Sequence, residues 1–167
     1  MRSACFTGHR SIKSDDMLYA RALLNRTICA LAKHGVTDFY CGGALGWDTE
    51  AASMVLRLKE EKRLDIKLHL ILPCRNEEQT KKWSDEDKHV FYTILMHAET
   101  VEYVGSDYTK ACMKKRNARL IELADCCVCY YDSSNFRSGT GQTVRMAEEK
   151  GIEIINIYEL VNTTPDF

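Results

Sequence analysis

Residues 4–41, ACFTGHRSIKSDDMLYARALLNRTICALAKHGVTDFYC, hold the pattern on which the fold turns. Ala4 to Thr7 is a short apolar, β-prone run, and Asp38 to Cys41 is a second. Between them Leu18, Ala22, Ile28, Leu31 and Ala32 recur near i, i+3, i+4 spacing over Asp15 to His34, and Gly35 follows as a helix-ending residue. A strand, a helix and a strand in so short a span make a βαβ unit, whose crossover is right-handed and whose strands are parallel.

The same alternation continues to the end of the chain. Further strands are expected at Lys67 to Leu72, Thr100 to Val104, Cys127 to Tyr131 and Glu153 to Tyr158. Helices are expected at Asp48 to Lys62, which opens acidic and closes basic, and after Ser84, where Asp85-Glu86-Asp87 loads a first turn with negative charge. Two more follow at Tyr108 to Ala124 and Gln142 to Lys150, and Pro73 to Glu78 reads as a long loop. The expected class is α/β: one Rossmann-like, doubly wound, mostly parallel sheet with helices on both faces, filling residues 1–167 as a single domain.

Bulk properties agree with this and exclude several classes. A chain of 167 residues with 45% apolar and 28% charged side chains can bury a core and is too balanced for disorder. No apolar stretch approaches the ~20 residues that span a bilayer, so no membrane insertion is expected. Met1 to Gly8 runs directly into a strand without a secretory apolar segment, which leads us to expect a cytoplasmic protein. The eight cysteines are expected as free thiols. Cys126-Cys127-Val128-Cys129 lacks a second pair at zinc-ligand spacing, and strand geometry puts Cys127 and Cys129 on one face and Cys126 on the other. We expect neither a metal nor a required cofactor. The net charge of −1 gives no general attraction for nucleic acid, which would need a local patch.

In an open parallel sheet, ligands bind beyond the carboxyl ends of the strands, where loops lead into helices with free N–H groups. Glycines concentrate in those loops: Gly8 after the first strand, Gly42, Gly43 and Gly46 after the second, Gly139 and Gly141 after the fifth. Thr7-Gly8-His9-Arg10 joins an unobstructed backbone to a guanidinium that can grip a phosphate. In the stretch from Gly42 to Asp48, Ala44 lies between glycines, Trp47 could stack on a base as well as pack, and Asp48 could cap the next helix or hold a sugar hydroxyl. Ser138, Gly139, Thr140, Gly141 and Thr143 supply small residues, hydroxyls and amides of the kind that cradle phosphate. Arg137, just before them, is a further candidate contact for a phosphate or ribose, in a loop that could equally be an ordinary connection. A single glycine loop is ordinarily only a tight turn; three on one sheet edge point to a ligand. Neither GxGxxG nor GxxxxGK[ST] is present, which argues against a standard dehydrogenase and a P-loop ATPase.

Four segments together carry a family resemblance: Phe6 to Arg10, Cys41 to Ala52, Lys115-Arg116-Asn117, and Ser138 to Ala147. In this order they resemble the YpsA-like family of the SLOG superfamily, which also holds DprA and the Lonely Guy phosphoribohydrolases. The resemblance implies a nucleotide-binding Rossmann-like domain, with Arg116 and Asn117 at the ligand site. The second and fourth segments are most similar to DprA. The hydrolase signature P-G-G-x-G-T-x-x-E is broken, because Thr143 stands where its glutamate would be. A hydroxyl cannot supply that carboxylate's charge or basicity, so catalysis would need Arg116 with another carboxylate, Asp48 or Glu50. The expected partner is therefore a small-molecule nucleotide, of the ADP-ribose or NAD type, that is bound or sensed. Nucleoside monophosphate cleavage and DprA-like single-stranded DNA binding are the alternatives, and homo-oligomerisation stays open.

Overall fold

In the computed structural model, which describes residues 1–163, the opening stretch forms β1 (Ser3–Gly8), α1 (Ser14–Lys33) and β2 (Asp38–Cys41). The chain continues through α2 (Trp47–Glu61), β3 (Lys67–Leu72), α3 (Asn76–Gln79), α4 (Asp85–His97), β4 (Thr100–Tyr103), α5 (Lys110–Leu123) and β5 (Cys126–Tyr130). It closes with α6 (Gly139–Lys150), β6 (Glu153–Asn156) and α7 (Ile157–Thr163). Residues 164–167 of the expected single unit lie outside the described residues.

All six strands are parallel, in the order β4-β3-β2-β1-β5-β6. The α/β Rossmann-like class expected from the alternation is the observed one. Each strand alternates its side chains between two buried layers. Ala4 and Phe6 of β1, with Cys126 and Val128 of β5, join the layer of α1, α2, α4 and α7, centred on Leu24, Ile28, Phe39 and Val55. Cys5, Cys127 and Cys129 face the other way, onto Leu120, Ile121 and Val144 of α5 and α6. The three thiols are packed as small apolar groups, with Cys5 directly opposite Cys127 in the register.

Three local expectations are corrected. The segment Pro73 to Glu78 is not wholly loop, since Asn76–Gln79 makes a short helical turn whose Thr80 hydroxyl donates to the Asn76 carbonyl at 2.8 Å. The last strand stops at Asn156 because that side chain accepts the N–H of Tyr131 (3.0 Å) and of Tyr158 (3.2 Å), bending the chain into α7. Helix α6 begins at Gly139 rather than Gln142, with the Ser138 hydroxyl accepting the Gly141 N–H at 3.0 Å.

From β1 the chain steps outward through β2, β3 and β4, then returns to place β5 on the other side of β1. The strand order therefore reverses between β1 and β5. The segments leaving these strands run to α1 on one face and α6 on the other, which opens a crevice above Gly8 and Tyr130.

Candidate functional site

A cavity of about 1040 Å³ occupies that crevice. Residues after β1 and β5, the first turns of α5 and α6, and Ala44, Asp48 and Tyr158 line it. Among the described residues its lining carries Arg10, Lys13, Lys110, Lys114, Arg116, Arg137 and Arg145 against Asp48 and Asp132. A chain of net charge −1 thus gathers a strongly positive field in one concavity, the local patch that bulk charge conceals.

The floor is built by β2, α2 and α5. Asp48 and Arg116 are each 5% exposed, and Asn117 is buried beside them. The Arg116 guanidinium donates from Nε to Asn117 Oδ1 at 2.8 Å and from Nη1 to the Gly42 carbonyl. Asp48 Oδ2 accepts the Ala44 N–H at 3.1 Å, tying the loop after β2 to α2. Burial pushes the Asp48 carboxyl up from the usual 3.8 to about 6, against the pull of the Arg116 and Arg10 guanidiniums. Burial also draws Arg116 down, and the Asp48 charge opposes that shift.

The walls are held by contacts between distant segments. Arg10 donates to the Tyr108 hydroxyl at 2.8 Å, joining the loop after β1 to the approach to α5. Lys13 donates to the Tyr158 hydroxyl at 3.0 Å and lies 4.9 Å from that ring's centre, which holds α7 against the cavity. His9 Nε2 accepts the Asp132 N–H at 2.9 Å. A backbone amide can only donate, so the proton of this neutral ring sits on Nδ1. Burial lowers the His9 pKa from 6.5, outweighing the opposing effect of Asp132. His9 therefore brings an uncharged donor into a lining otherwise rich in cations.

A family model described as the YspA SLOG family, named YpsA, matches residues 5–160. The chain belongs to the YspA SLOG family. Among curated proteins it is 28% identical over 141 residues to a UPF0398 protein of Bacillus pumilus, covering 79% of this chain and 74% of that one. It is also 28% identical over 149 residues to the uncharacterized SPbeta prophage-derived protein YoqJ of Bacillus subtilis, covering 82% of each. Among solved structures it is similar to DNA processing protein A of Helicobacter pylori, studied for its single-stranded DNA binding mode, with a TM-score of 0.60 and 20% identity over 97% of this chain and 79% of that one. The X-ray structure of TM1055 follows, with a TM-score of 0.56 and 16% identity over 99% and 83%. At these identities the two structures speak for the fold.

In this YspA SLOG member the expected site residues divide into two groups. Gly8, His9, Arg10, Ala44, Asp48, Arg116, Asn117, Ser138, Gly139 and Thr140 line the cavity, as does Arg137. Gly42, Gly43, Gly46, Trp47, Gly141 and Thr143 do not; they build the walls from behind. A side chain on Gly42 would meet the Arg116 guanidinium, one on Gly43 the Leu72 side chain, and one on Gly141 the Phe136 carbonyl. Gly46 has φ +79° and lies against the Arg10 backbone, so no other residue fits there. Trp47 is 1% exposed, stacked on Tyr130 with ring centres 5.5 Å apart, and Gly8 lies directly against its indole. Its faces are occupied by the core, which removes it as a base-stacking surface. Thr143 is fully buried and donates to the Gly139 carbonyl at 2.9 Å within α6. Glu50 is taken by two 2.8 Å hydrogen bonds from Arg21 of α1 and does not line the cavity.

Sequence reading passed over Lys13, Tyr108 and Tyr158 as site residues, took the basic run from Lys110 to Arg119 for a solvated helix face and gave Arg145 no role, yet Lys13, Tyr108, Lys110, Lys114, Arg145 and Tyr158 all line the cavity. The i, i+4 spacing of Lys110 and Lys114 carried a signal, because it sets both on one side of the first turns of α5. Arg119, further along α5, does not line the cavity and pairs with Glu102 at 3.0 Å and Glu122 at 3.1 Å.

Proposed function

We propose that this YspA SLOG protein is a cytoplasmic binding or sensing protein for a nucleotide or nucleotide-derived ligand of the ADP-ribose or NAD class, held in the switch-point cavity. The observation that carries this reading is the lining of seven Lys and Arg side chains against two Asp at the carboxyl ends of β1 and β5. The start of α6 supports it. Gly139 lines the cavity, and a side chain there would meet nothing nearer than Asn117 Nδ2 at 4.0 Å, so packing does not demand a glycine. A bare backbone at a capped helix start suits the close approach of a phosphate.

Native mass spectrometry of the purified protein with AMP, NAD, ADP-ribose, cyclic nucleotides and short single-stranded DNA tests the reading. The expected result is a retained, uncleaved nucleotide whose binding is lost in Gly139→Glu, a change the fold has room for and which sets a negative charge at the phosphate seat. Unchanged affinity in that variant, or retention of DNA alone, overturns it.

One observation favours a second reading, cleavage of the N-glycosidic bond of nucleoside monophosphates. Asp48 is a buried carboxyl that titrates at about 6, suited to taking or giving a proton near neutral pH. With Glu50 paired to Arg21, Asp48 is the carboxylate available beside Arg116. Release of free base and ribose 5-phosphate, abolished in Arg116→Ala, would replace binding by catalysis.

A further inference from the structure

We infer that Asp48 and Arg116 read the vicinal hydroxyls of a ribose, so that the cavity selects ribonucleotides over 2′-deoxyribonucleotides. This rests on the nucleotide reading above and adds to it the part of the ligand that reaches the floor.

In a cavity whose charged lining is mostly cationic, a carboxylate on the floor repels the phosphate that the cations attract, so its ligand must bring a hydrogen-bond donor to it. Asp48 is nine-tenths buried and uses one oxygen, Oδ2, for the Ala44 amide. Among the described residues nothing donates to Oδ1, and that atom is not sealed inside the protein. Arg116 is equally buried and spends Nε and Nη1 on Asn117 and Gly42, leaving Nη2 without an acceptor and likewise unsealed. The two side chains are not paired with each other. The floor therefore offers one charged acceptor and one charged donor side by side, and adjacent hydroxyls, which both donate and accept, satisfy the two together.

Position decides that the sugar, and not the base, arrives there. A side chain on Gly139 would come within 4.0 Å of Asn117 Nδ2, and Asn117 Oδ1 accepts from Arg116 at 2.8 Å. The phosphate seat at the start of α6 and the floor are thus joined through a single asparagine. In a nucleotide the group next to the 5′-phosphate is the ribose, and the base lies beyond it.

The test is calorimetric titration of the full chain with AMP and 2′-deoxy-AMP, and with the base-free pair ribose 5-phosphate and 2-deoxyribose 5-phosphate, in wild type and Asp48→Asn. The thermal unfolding curve of the variant serves as the check on its fold. Wild type should bind each ribo-compound about tenfold or more tightly than its deoxy counterpart, the scale of a hydrogen bond to a charged group. In Asp48→Asn that preference should shrink to within about twofold, with 2′-deoxy-AMP held as well as before or better because a negative charge is gone. Equal binding of ribo and deoxy compounds by wild type, or a preference that survives in Asp48→Asn, overturns the assignment while leaving nucleotide binding intact. Failure of all four compounds to bind overturns this assignment, and failure of ADP-ribose and NAD as well overturns the nucleotide reading.

Discussion

Enclosure makes the Asp48 carboxyl harder to ionise than an exposed one, and its shift from 3.8 to about 6 expresses that penalty while leaving it charged at neutral pH. The stability linked to this proton is complete below the unfolded value near 4 and is lost as pH rises through about 6. Asp48→Asn should therefore match wild type near pH 4 and unfold at a higher temperature above pH 6. The gain, up to about 3 kcal/mol, would be read as a difference in Tm measured across that range. A variant that is no more stable at pH 7 would show that Arg116 already compensates the charge. At this scale the sequence showed that an aspartate closes the glycine-rich segment after β2, but not that it is buried. The same limit applies to Trp47: its place among glycines left base stacking open beside packing, and only burial against Gly8 and Tyr130, distant in the chain, shows that it packs.

At the scale of elements, helix ends were set by partners from elsewhere as much as by their own sequence. Helix α5 has no basic residue in its last turn, yet Lys150, closing α6, donates to the carbonyls of Ile121 at 2.8 Å, Glu122 at 3.1 Å and Ala124 at 2.8 Å. Carbonyls at a helix end run out of helical N–H partners, of these three Ile121 alone accepting the Ala124 N–H at 3.4 Å, and the ammonium also answers the negative end of the helix. Lys150→Met should lower stability by about 1–2 kcal/mol, seen as an earlier urea midpoint with an unchanged m-value. Element existence was legible because periodicity is local: β2 and β3 have the bounds read from their apolar runs. The exceptions were decided by side chains reaching across. Asn156 stopped β6 by holding Tyr131, and Ser138 started α6 three residues early, turning an expected loop into the helix end that faces the cavity.

For the whole molecule, the consequential feature is charge placement rather than charge total. Seven cationic side chains meet in one concavity of a nearly neutral chain, so attraction for a phosphorylated ligand should be screened by salt. AMP affinity should fall several-fold between roughly 50 and 500 mM NaCl, the range over which the screening length contracts to a few ångströms, while that of uncharged adenosine stays nearly constant. Equal salt responses by titration would refute an electrostatic role for the lining. The amino-acid sequence by itself determined the α/β class, the parallel strands, the number of strands and the glycine-bearing edge, because strand and helix periods and caps act between neighbours in the chain. Only the tertiary structure decided that the strand order reverses between β1 and β5 and that the cavity opens there. It also decided which glycines line the cavity and which accommodate a wall. Those outcomes depend on contacts such as Arg116 with the carbonyl of Gly42, 74 residues away, and no local pattern encodes a partner at that distance.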